Sequence, residues 1–222
     1  MDDSLTLEAV DVDGAIREAA DRVSGDSRAR FLAKAGMFGG GLLGSGALLG
    51  LAADGAQAAT KGDISILNFA PTLEYLDAAF YAEANRMGAL SGETKLFAKV
   101  VAAHEATHVA TLEQVLGSAA VKSPKFNFRG TTESASKFRA TAQTLEDTGV
   151  SAYKGQAPKI KRDAYLAAAL AIHTVEARHA AWIREIRGVS PAPAAFDTPL
   201  TKKQVLSAVA GTRFIVAPRS TR

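Results

Sequence analysis

The feature that most constrains the fold of this 222-residue chain is a pattern of glutamates and histidines that occurs twice. In each occurrence, a single glutamate in an apolar context is followed, at nearly the same spacing, by Glu-x-x-His. Along the chain, Glu74 corresponds to Glu146, Glu105 to Glu176, and His108 to His179, with an almost constant offset between the two occurrences. The chain therefore contains an internal duplication, in which each half supplies the same three side chains.

Four helices are predicted in the part of the chain that carries this pattern. Each is roughly 25 residues, or about 38 Å, long. Asp63 is the predicted N-cap of the first helix, and glycine follows the first, second and fourth, where it can adopt the backbone conformation of a helix end. The helices are predicted over residues 63–87, 92–116, 132–156 and 161–187.

The lengths of the connections indicate how the helices are arranged. Short turns at 88–92 and 157–160 join consecutive helices into two antiparallel hairpins. The longer loop at 118–130 has the length of a crossover between the hairpins. The predicted fold class is therefore all-α: a ferritin-like antiparallel four-helix bundle built from two helical hairpins, over residues 59–190.

Residues 191–222 are predicted to form a C-terminal tail that packs on the bundle. Thr201 and Gln204 have the spacing of a capping box, which predicts a short helix. Residues 213–216 (RFIV) are predicted to dock as an extended strand. The side chains expected to contact the bundle are Phe196, Leu200, Val205, Leu206 and Val209.

The glutamates and histidines have the spacing of a metal site. Side chains at positions i and i+3 share one face of a helix, so Glu105 and His108 can meet the same metal ion. Unpaired carboxylates are costly in an apolar core, whereas four of them balance two divalent cations. The pattern predicts two transition-metal ions bound by these six residues, with iron favoured and manganese as the other candidate. The alternative is four surface glutamates with two core histidines.

Five further side chains are candidates for the surroundings of the metal ions. His104 and His173 each lie one turn from a predicted ligand, and each could equally be a hydrogen-bonded core histidine. Tyr81 and Tyr153 follow the single glutamates at the same spacing and could donate to ligands, carry an electron or simply pack in the core. Asp77 is either an acceptor near the ligands or a solvent-facing acid.

The part of the chain before Ala59 differs in composition from the rest. Residues 1–26 form an acidic leader with eight acidic and two basic side chains, and no function is assigned to it. Residues 27–58 contain three basic residues, then an uncharged stretch, and then small residues, which is the order of a secretory signal. The alternative is an amphipathic or core helix. The stretch is too weakly hydrophobic for a stable transmembrane anchor. Export to a periplasmic or extracytoplasmic location is predicted if the signal is used, and a cytoplasmic location otherwise.

Composition excludes several kinds of site and partner. The chain has no cysteine, which excludes disulfides, iron–sulfur clusters and thiolate zinc sites. The net charge of +3 comes with scattered bases, so no nucleic acid partner is expected. No Walker motif, Ser-His-Asp order or glycine-rich dinucleotide loop is present. The expected partners are metal ions and small oxidants; a homo-oligomer is compatible with the pattern, which specifies no assembly.

The segments around the six residues resemble the helix signatures of a known family. They are ILNFAPTLEYLDAAFY, AAHEATHVATLE, ATAQTLEDTGVSAY and VEARHAAWI. Residues 63 to about 215 resemble ferritin-like proteins related to plant desiccation-related proteins. The resemblance implies a ferritin-like bundle with all six ligand positions, often preceded by a twin-arginine leader. SRARFLAK resembles such a leader, with Ala29 in place of its second arginine.

Some residues depart from the patterns of related proteins. Pro71 stands where the family has leucine, and because an interior proline kinks a helix, it could shift Glu74, one turn later. Gly149 is expected to weaken the third helix one turn after a ligand. Diiron oxygenases often carry aspartate just before Glu-x-x-His, whereas this chain has His104 and Val175, which argues against a monooxygenase.

Three functions remain open at this point. The first is a redox dimetal protein, acting as a ferroxidase or as an iron- or manganese-dependent peroxidase or catalase-like oxidase. The second is a stress-protective or structural helical protein whose metal site stabilises the bundle or is vestigial. The third is a metal-binding or storage protein without turnover.

Overall fold

The computed structural model describes residues 60–216, and the predicted all-α bundle is confirmed. Helix α1 packs along α2, and α3 packs along α4, so the two hairpins form as expected. The four helices are α1 (Lys61–Met87), α2 (Gly92–Leu116), α3 (Ala135–Gln156) and α4 (Asp163–Ile186). The acidic leader 1–26 and the signal segment 27–58 lie outside the described residues.

Three helices begin at other residues than predicted, and α4 ends one residue earlier, at Ile186. The N-cap of α1 is Thr60, whose Oγ1 accepts from the backbone N–H of Asp63. Asp63 lies in the first turn, where its carboxylate accepts from the backbone N–H of Lys161 at 2.8 Å and ties α1 to the start of α4. Helix α3 begins at Ala135, after turns over residues 128–133, and α4 begins at Asp163.

Helix α1 continues through Pro71 as one helix. Pro71 is buried, and Glu74, one turn later, lies with the other five predicted ligands. Helix α1 is therefore continuous across the hydrogen bond that Pro71 cannot make, and the Glu74 ligand atom still lies within 4.8 Å of the others in its group.

A two-stranded sheet joins the crossover to the C-terminal tail. Strand β1 (Lys125–Phe126) pairs antiparallel with β2 (Ile215–Val216), with Lys125 opposite Val216. Next to this pair, the backbone N–H of Asn127 donates to the carbonyl of Phe214, whose side chain is buried. Residues 213–216 thus pair with the crossover through β2, and Phe214 packs in the hydrophobic core.

The tail also contains helix α5 (Lys202–Thr212), which begins with a capping box formed by Thr201 and Gln204. Val205 and Val209 are buried, and Leu200 is partly buried against the core. Leu206 is exposed because it follows Val205 and lies about 100° around the helix. Phe196 is 84% exposed, so the expectation that Phe196 and Leu206 pack on the bundle is wrong.

The two ends of the bundle are packed differently. At one end, Phe80 and Phe138 are fully buried and their rings stack with centroids 5.2 Å apart. The duplication that matches Glu74 with Glu146 also matches Phe80 with Ala152, and Ile66 with Phe138. The smaller side chains of Ile66 and Ala152 line an apolar cavity at the other end. The six predicted ligands lie between the aromatic end and the cavity end.

No helix within residues 60–216 is long and apolar enough to cross a membrane.

Candidate metal centre

The six predicted ligands converge in the middle of the bundle, and all six are buried. They form two overlapping groups, and within each group the ligand atoms lie within 4.8 Å of one another. The His108 group consists of Glu74, Glu105, His108 and Glu176. The His179 group consists of Glu105, Glu146, Glu176 and His179. Glu105 and Glu176 belong to both groups, so they stand where bridging carboxylates would stand.

Helical spacing accounts for this convergence. Glu105 and His108 lie one turn apart on α2, and Glu176 and His179 lie one turn apart on α4. Because the two hairpins face each other, each pair meets the pair from the other hairpin, and α1 and α3 add one glutamate each.

Each histidine presents Nδ1 to three carboxylates. Nδ1 of His108 lies 3.0 Å from Glu176, 3.2 Å from Glu74 and 3.4 Å from Glu105. Nδ1 of His179 lies 3.2 Å from Glu105, 3.3 Å from Glu146 and 3.7 Å from Glu176. Glu105 and Glu176 each turn one oxygen toward each histidine.

The hydrogen-bonding capacity of these atoms is largely unmet. Both oxygens of Glu105 and Nδ1 of His179 are buried and lack a hydrogen-bond partner with good geometry, although carboxylate and imidazole atoms lie close by. One oxygen each of Glu146 and Glu176 is in the same condition. Buried polar atoms without partners are costly, and a metal ion would satisfy several of them at once. The donor set of four carboxylates and two imidazoles fits two divalent iron or manganese ions.

The electrostatics of the cluster also favour cations. Burial raises the pKa of Glu105 well above its ordinary value, and the charges of Glu176 and Glu74 raise it further. Burial alone would lower the pKa of His179, but its contacts with Glu105, Glu146 and Glu176 outweigh burial and raise that pKa to about 12. The protonated imidazoles therefore supply positive charge that metal ions would otherwise supply. Two divalent cations would balance four ionised carboxylates, so no glutamate of the cluster would need to retain a proton.

Two buried tyrosines connect the hairpins through the ligands. The hydroxyl of Tyr81 on α1 donates to Glu146 on α3, and the hydroxyl of Tyr153 on α3 donates to Glu74 on α1. Burial raises the pKa of both tyrosines, and the charge of the bonded glutamate raises it further. Both hydroxyls therefore keep their protons and hold the carboxylates in place. Each hairpin thus orients a glutamate of the other.

The sequence matches one known protein family over most of the helical bundle. The ferritin-like domain family matches residues 62–189, more than half of the chain. The chain belongs to this family. No curated protein matches it. The matched range covers all four bundle helices and all six buried ligand candidates.

His104 lies at the surface of the ferritin-like bundle and contacts one ligand candidate. Its Nδ1 is 2.9 Å from Nε2 of His179, and the two rings are nearly parallel, at 16°. Burial and the neighbouring charge of His179 lower the pKa of His104, so its ring is the neutral partner. The structure therefore places His104 directly behind His179.

His173 is not brought into either group. Within residues 60–216 it has no hydrogen bond or ion pair with any of the six ligand candidates. Its Nδ1 is buried without a partner, and burial lowers its pKa.

Asp77 is a buried acid and does not face solvent. It is 6% exposed, and its Oδ1 has no hydrogen-bond partner. Burial raises the pKa of Asp77 well above its ordinary value, and Glu146 is the next largest cause. A fifth carboxyl group therefore lies close to the four glutamates of the ferritin-like site.

The residue whose role the sequence did not reveal is Gly149. A Cβ at this position would lie 3.5 Å from Oε2 of Glu176, so the glycine faces a ligand candidate directly. Helix α3 remains continuous across Gly149. The low helix propensity of glycine therefore does not interrupt α3. In the duplication, Gly149 is the counterpart of Asp77. This correspondence is the sequence signal that indicates a position of Gly149 near the ligand candidates.

Proposed function

We propose that this ferritin-like protein binds two transition-metal ions, iron in preference to manganese, and uses them in stress protection to oxidise ferrous iron or to consume peroxide or dioxygen. The observation that carries the proposal is the pair of buried groups sharing Glu105 and Glu176, within which all ligand atoms lie within 4.8 Å. Two groups that share two carboxylates would hold two ions next to each other, so that a two-electron oxidant could take one electron from each.

Each residue has a distinct part in this proposal. His108 and Glu74 would hold one ion, and His179 and Glu146 would hold the other. Tyr81 and Tyr153 keep the two terminal glutamates in place, so the carboxylates need little reorganisation when cations arrive. The apolar side chains around the site exclude bulk water, which strengthens the electrostatic interactions inside it.

The bound ions would supply the redox change, which no side chain of the centre can provide. In a ferroxidase reaction with peroxide, one hydrogen peroxide molecule oxidises two ferrous ions to ferric ions and is reduced to two hydroxide ions. The four glutamates offset the positive charge, and since that charge rises from ferrous to ferric iron, their negative charge favours the oxidised product.

The first test is the metal content. Purified protein reconstituted with iron or manganese under non-chelating conditions is expected to hold close to two ions per chain, by elemental analysis. A value near zero would contradict the redox proposal.

The second test separates catalysis from scaffolding. Glu146→Ala is expected to abolish ferrous oxidation and peroxide consumption, because the His179 group loses a ligand and a charge. Glu185→Ala removes an exposed glutamate of α4 outside both groups and serves as the matched control, with turnover unchanged. Both variants are expected to remain folded, because removal of a buried carboxylate also removes its desolvation cost.

The alternative proposal is a structural or desiccation-protective protein whose metal site stabilises the bundle. It is favoured by the Tyr81–Glu146 and Tyr153–Glu74 hydrogen bonds, which connect both hairpins through the ligand positions. A wild type that binds two ions, melts at a higher temperature with them and shows no turnover would support this alternative and contradict the first proposal.

We also propose that the chain belongs to the desiccation-related branch of the ferritin-like proteins and is exported through residues 27–58. The four helix signatures and the order of basic, apolar and small residues support this. N-terminal analysis of native protein from an extracytoplasmic fraction is expected to show a start near Ala59. Native protein that is cytoplasmic and retains Met1 would contradict the proposal.

A further inference from the structure

The two halves of the metal centre differ at two polar positions. Because the chain is duplicated, each residue of one half can be compared with its counterpart in the other. The counterpart of His104, which precedes Glu105, is Val175, which precedes Glu176. The counterpart of Asp77 is Gly149. In each comparison one half has a polar side chain and the other half has none.

The first difference affects His179. Nδ1 of His104 lies 2.9 Å from Nε2 of His179, on the side of the ring opposite the carboxylates. Within residues 60–216, Nε2 of His108 has no such partner. Val175, which takes the place of His104 in the other half, has no hydrogen-bonding side chain.

A hydrogen-bond acceptor behind a histidine prepares it as a metal ligand. Because Nε2–H of His179 can donate to Nδ1 of His104, the proton that His179 gives up to a metal ion is the one on Nδ1, the atom that faces Glu105 and Glu146. The same bond fixes the ring orientation, so less freedom is lost when a metal ion binds. His108 has neither advantage.

The second difference does not distinguish the two groups. The Oδ1 of Asp77 is buried without a hydrogen-bond partner, and burial raises the pKa of Asp77 well above its ordinary value, which favours the uncharged acid.

We propose that the two metal positions are inequivalent: the His179 group binds the first ion more tightly, and His104 is the positioning residue that sets this order. The inference rests on the proposed function, since it requires that both groups bind metal.

The test uses Mn²⁺ alone, added stepwise to the full, metal-free chain. Binding is followed by calorimetry and by loss of the electron paramagnetic resonance signal of aqueous Mn²⁺. Wild type is expected to bind two ions, the first at least about tenfold more tightly than the second. His104→Val, which introduces the residue of the other half, is expected to weaken the first affinity by about 10- to 100-fold.

Two variants show whether the hydrogen bond is responsible. His104→Asn retains an acceptor near the position of Nδ1 and is expected to restore most of the first affinity. Val175→Ala, at the counterpart position, is expected to leave both affinities unchanged.

The outcomes distinguish this inference from the function on which it rests. A wild type that binds no Mn²⁺ overturns the proposed function and the inference together. Two ions bound with equal affinity, or a His104→Val variant that titrates like wild type, overturn the inference and leave the proposed function standing.

Discussion

Tyr81 and Tyr153 show how single hydroxyl groups orient the glutamates of the two candidate ligand groups. Removal of either hydroxyl leaves a buried carboxylate short of one donor. Tyr81→Phe and Tyr153→Phe are each expected to lower the free energy of unfolding by about 1.5–3 kcal/mol. Each is also expected to weaken Mn²⁺ binding about tenfold, because the freed glutamate loses its orientation. Urea unfolding and calorimetric Mn²⁺ titration measure the two effects.

Tyr75→Phe is the matched control for both variants. The hydroxyl of Tyr75 donates to Glu113 at 2.6 Å, outside the two ligand groups. Its loss is expected to cost about 1 kcal/mol of stability and to leave metal affinity unchanged. If Tyr75→Phe weakened metal binding as much as Tyr81→Phe, the effect would reflect general loosening of the bundle.

The site residues could be predicted because helical spacing is local and the duplication repeats it. The spacing of Glu105 and His108, and again of Glu176 and His179, determines which side chains share a face. That these side chains bind metal stays a prediction. The sequence could not show whether His104 contacts a ligand candidate or is a hydrogen-bonded core histidine. The contact with His179 depends on how α2 is rotated relative to α4.

At the scale of the helices and strands, the tail is held by a close backbone contact on α3. The backbone N–H of Leu200 donates to the carbonyl of Ser151, and a Cβ at Gly155 would lie 1.9 Å from the carbonyl oxygen of Leu200. Gly155→Ala is therefore expected to displace the tail and to lower the free energy of unfolding by about 1–3 kcal/mol. Urea unfolding of the metal-free protein measures the loss, and faster proteolysis within the tail would show where it occurs.

Gly149→Ala, on the same helix, provides the comparison. Its new Cβ would make an ordinary contact of 3.5 Å with Glu176, so the gain in helix propensity, up to about 1 kcal/mol, is expected to prevail. Equal free energies of unfolding for the two variants would show that the tail moves away from a Cβ at Gly155 without loss of stability.

The helices themselves were easier to predict than their ends or the tail. Glycine and capping residues mark most ends, but Thr60 is preferred over Asp63 as a cap because the carboxylate of Asp63 is engaged by the distant Lys161. The burial of the tail depends on where it crosses the bundle. For this reason the sequence could not distinguish exposed Phe196 from buried Val205.

Across the whole molecule, stability is expected to be distributed unequally between the two ends of the bundle. Phe138 is fully buried and contacts Phe80, Tyr81 and Phe97. Phe138→Ala is expected to cost about 3–5 kcal/mol, because it removes a large side chain from a close-packed aromatic cluster. Thermal and urea unfolding of the metal-free protein measure this cost.

The counterpart substitution, Ile66→Ala, tests the difference between the ends. Ile66 is only partly buried and borders the apolar cavity, so its truncation is expected to cost about 1 kcal/mol. Similar losses for Phe138→Ala and Ile66→Ala would contradict unequal packing of the two ends.

The exchange of tyrosine hydroxyls between hairpins has a consequence for how such a site can diversify. Two identical hairpins paired as a symmetric dimer would carry every substitution twice, at equivalent places. Joined in one chain by the crossover, the hairpins mutate separately: His104 can arise without a histidine at Val175, and Asp77 can persist opposite Gly149. Covalent linkage of the halves therefore permits the two candidate ligand groups to specialise, which strict symmetry forbids.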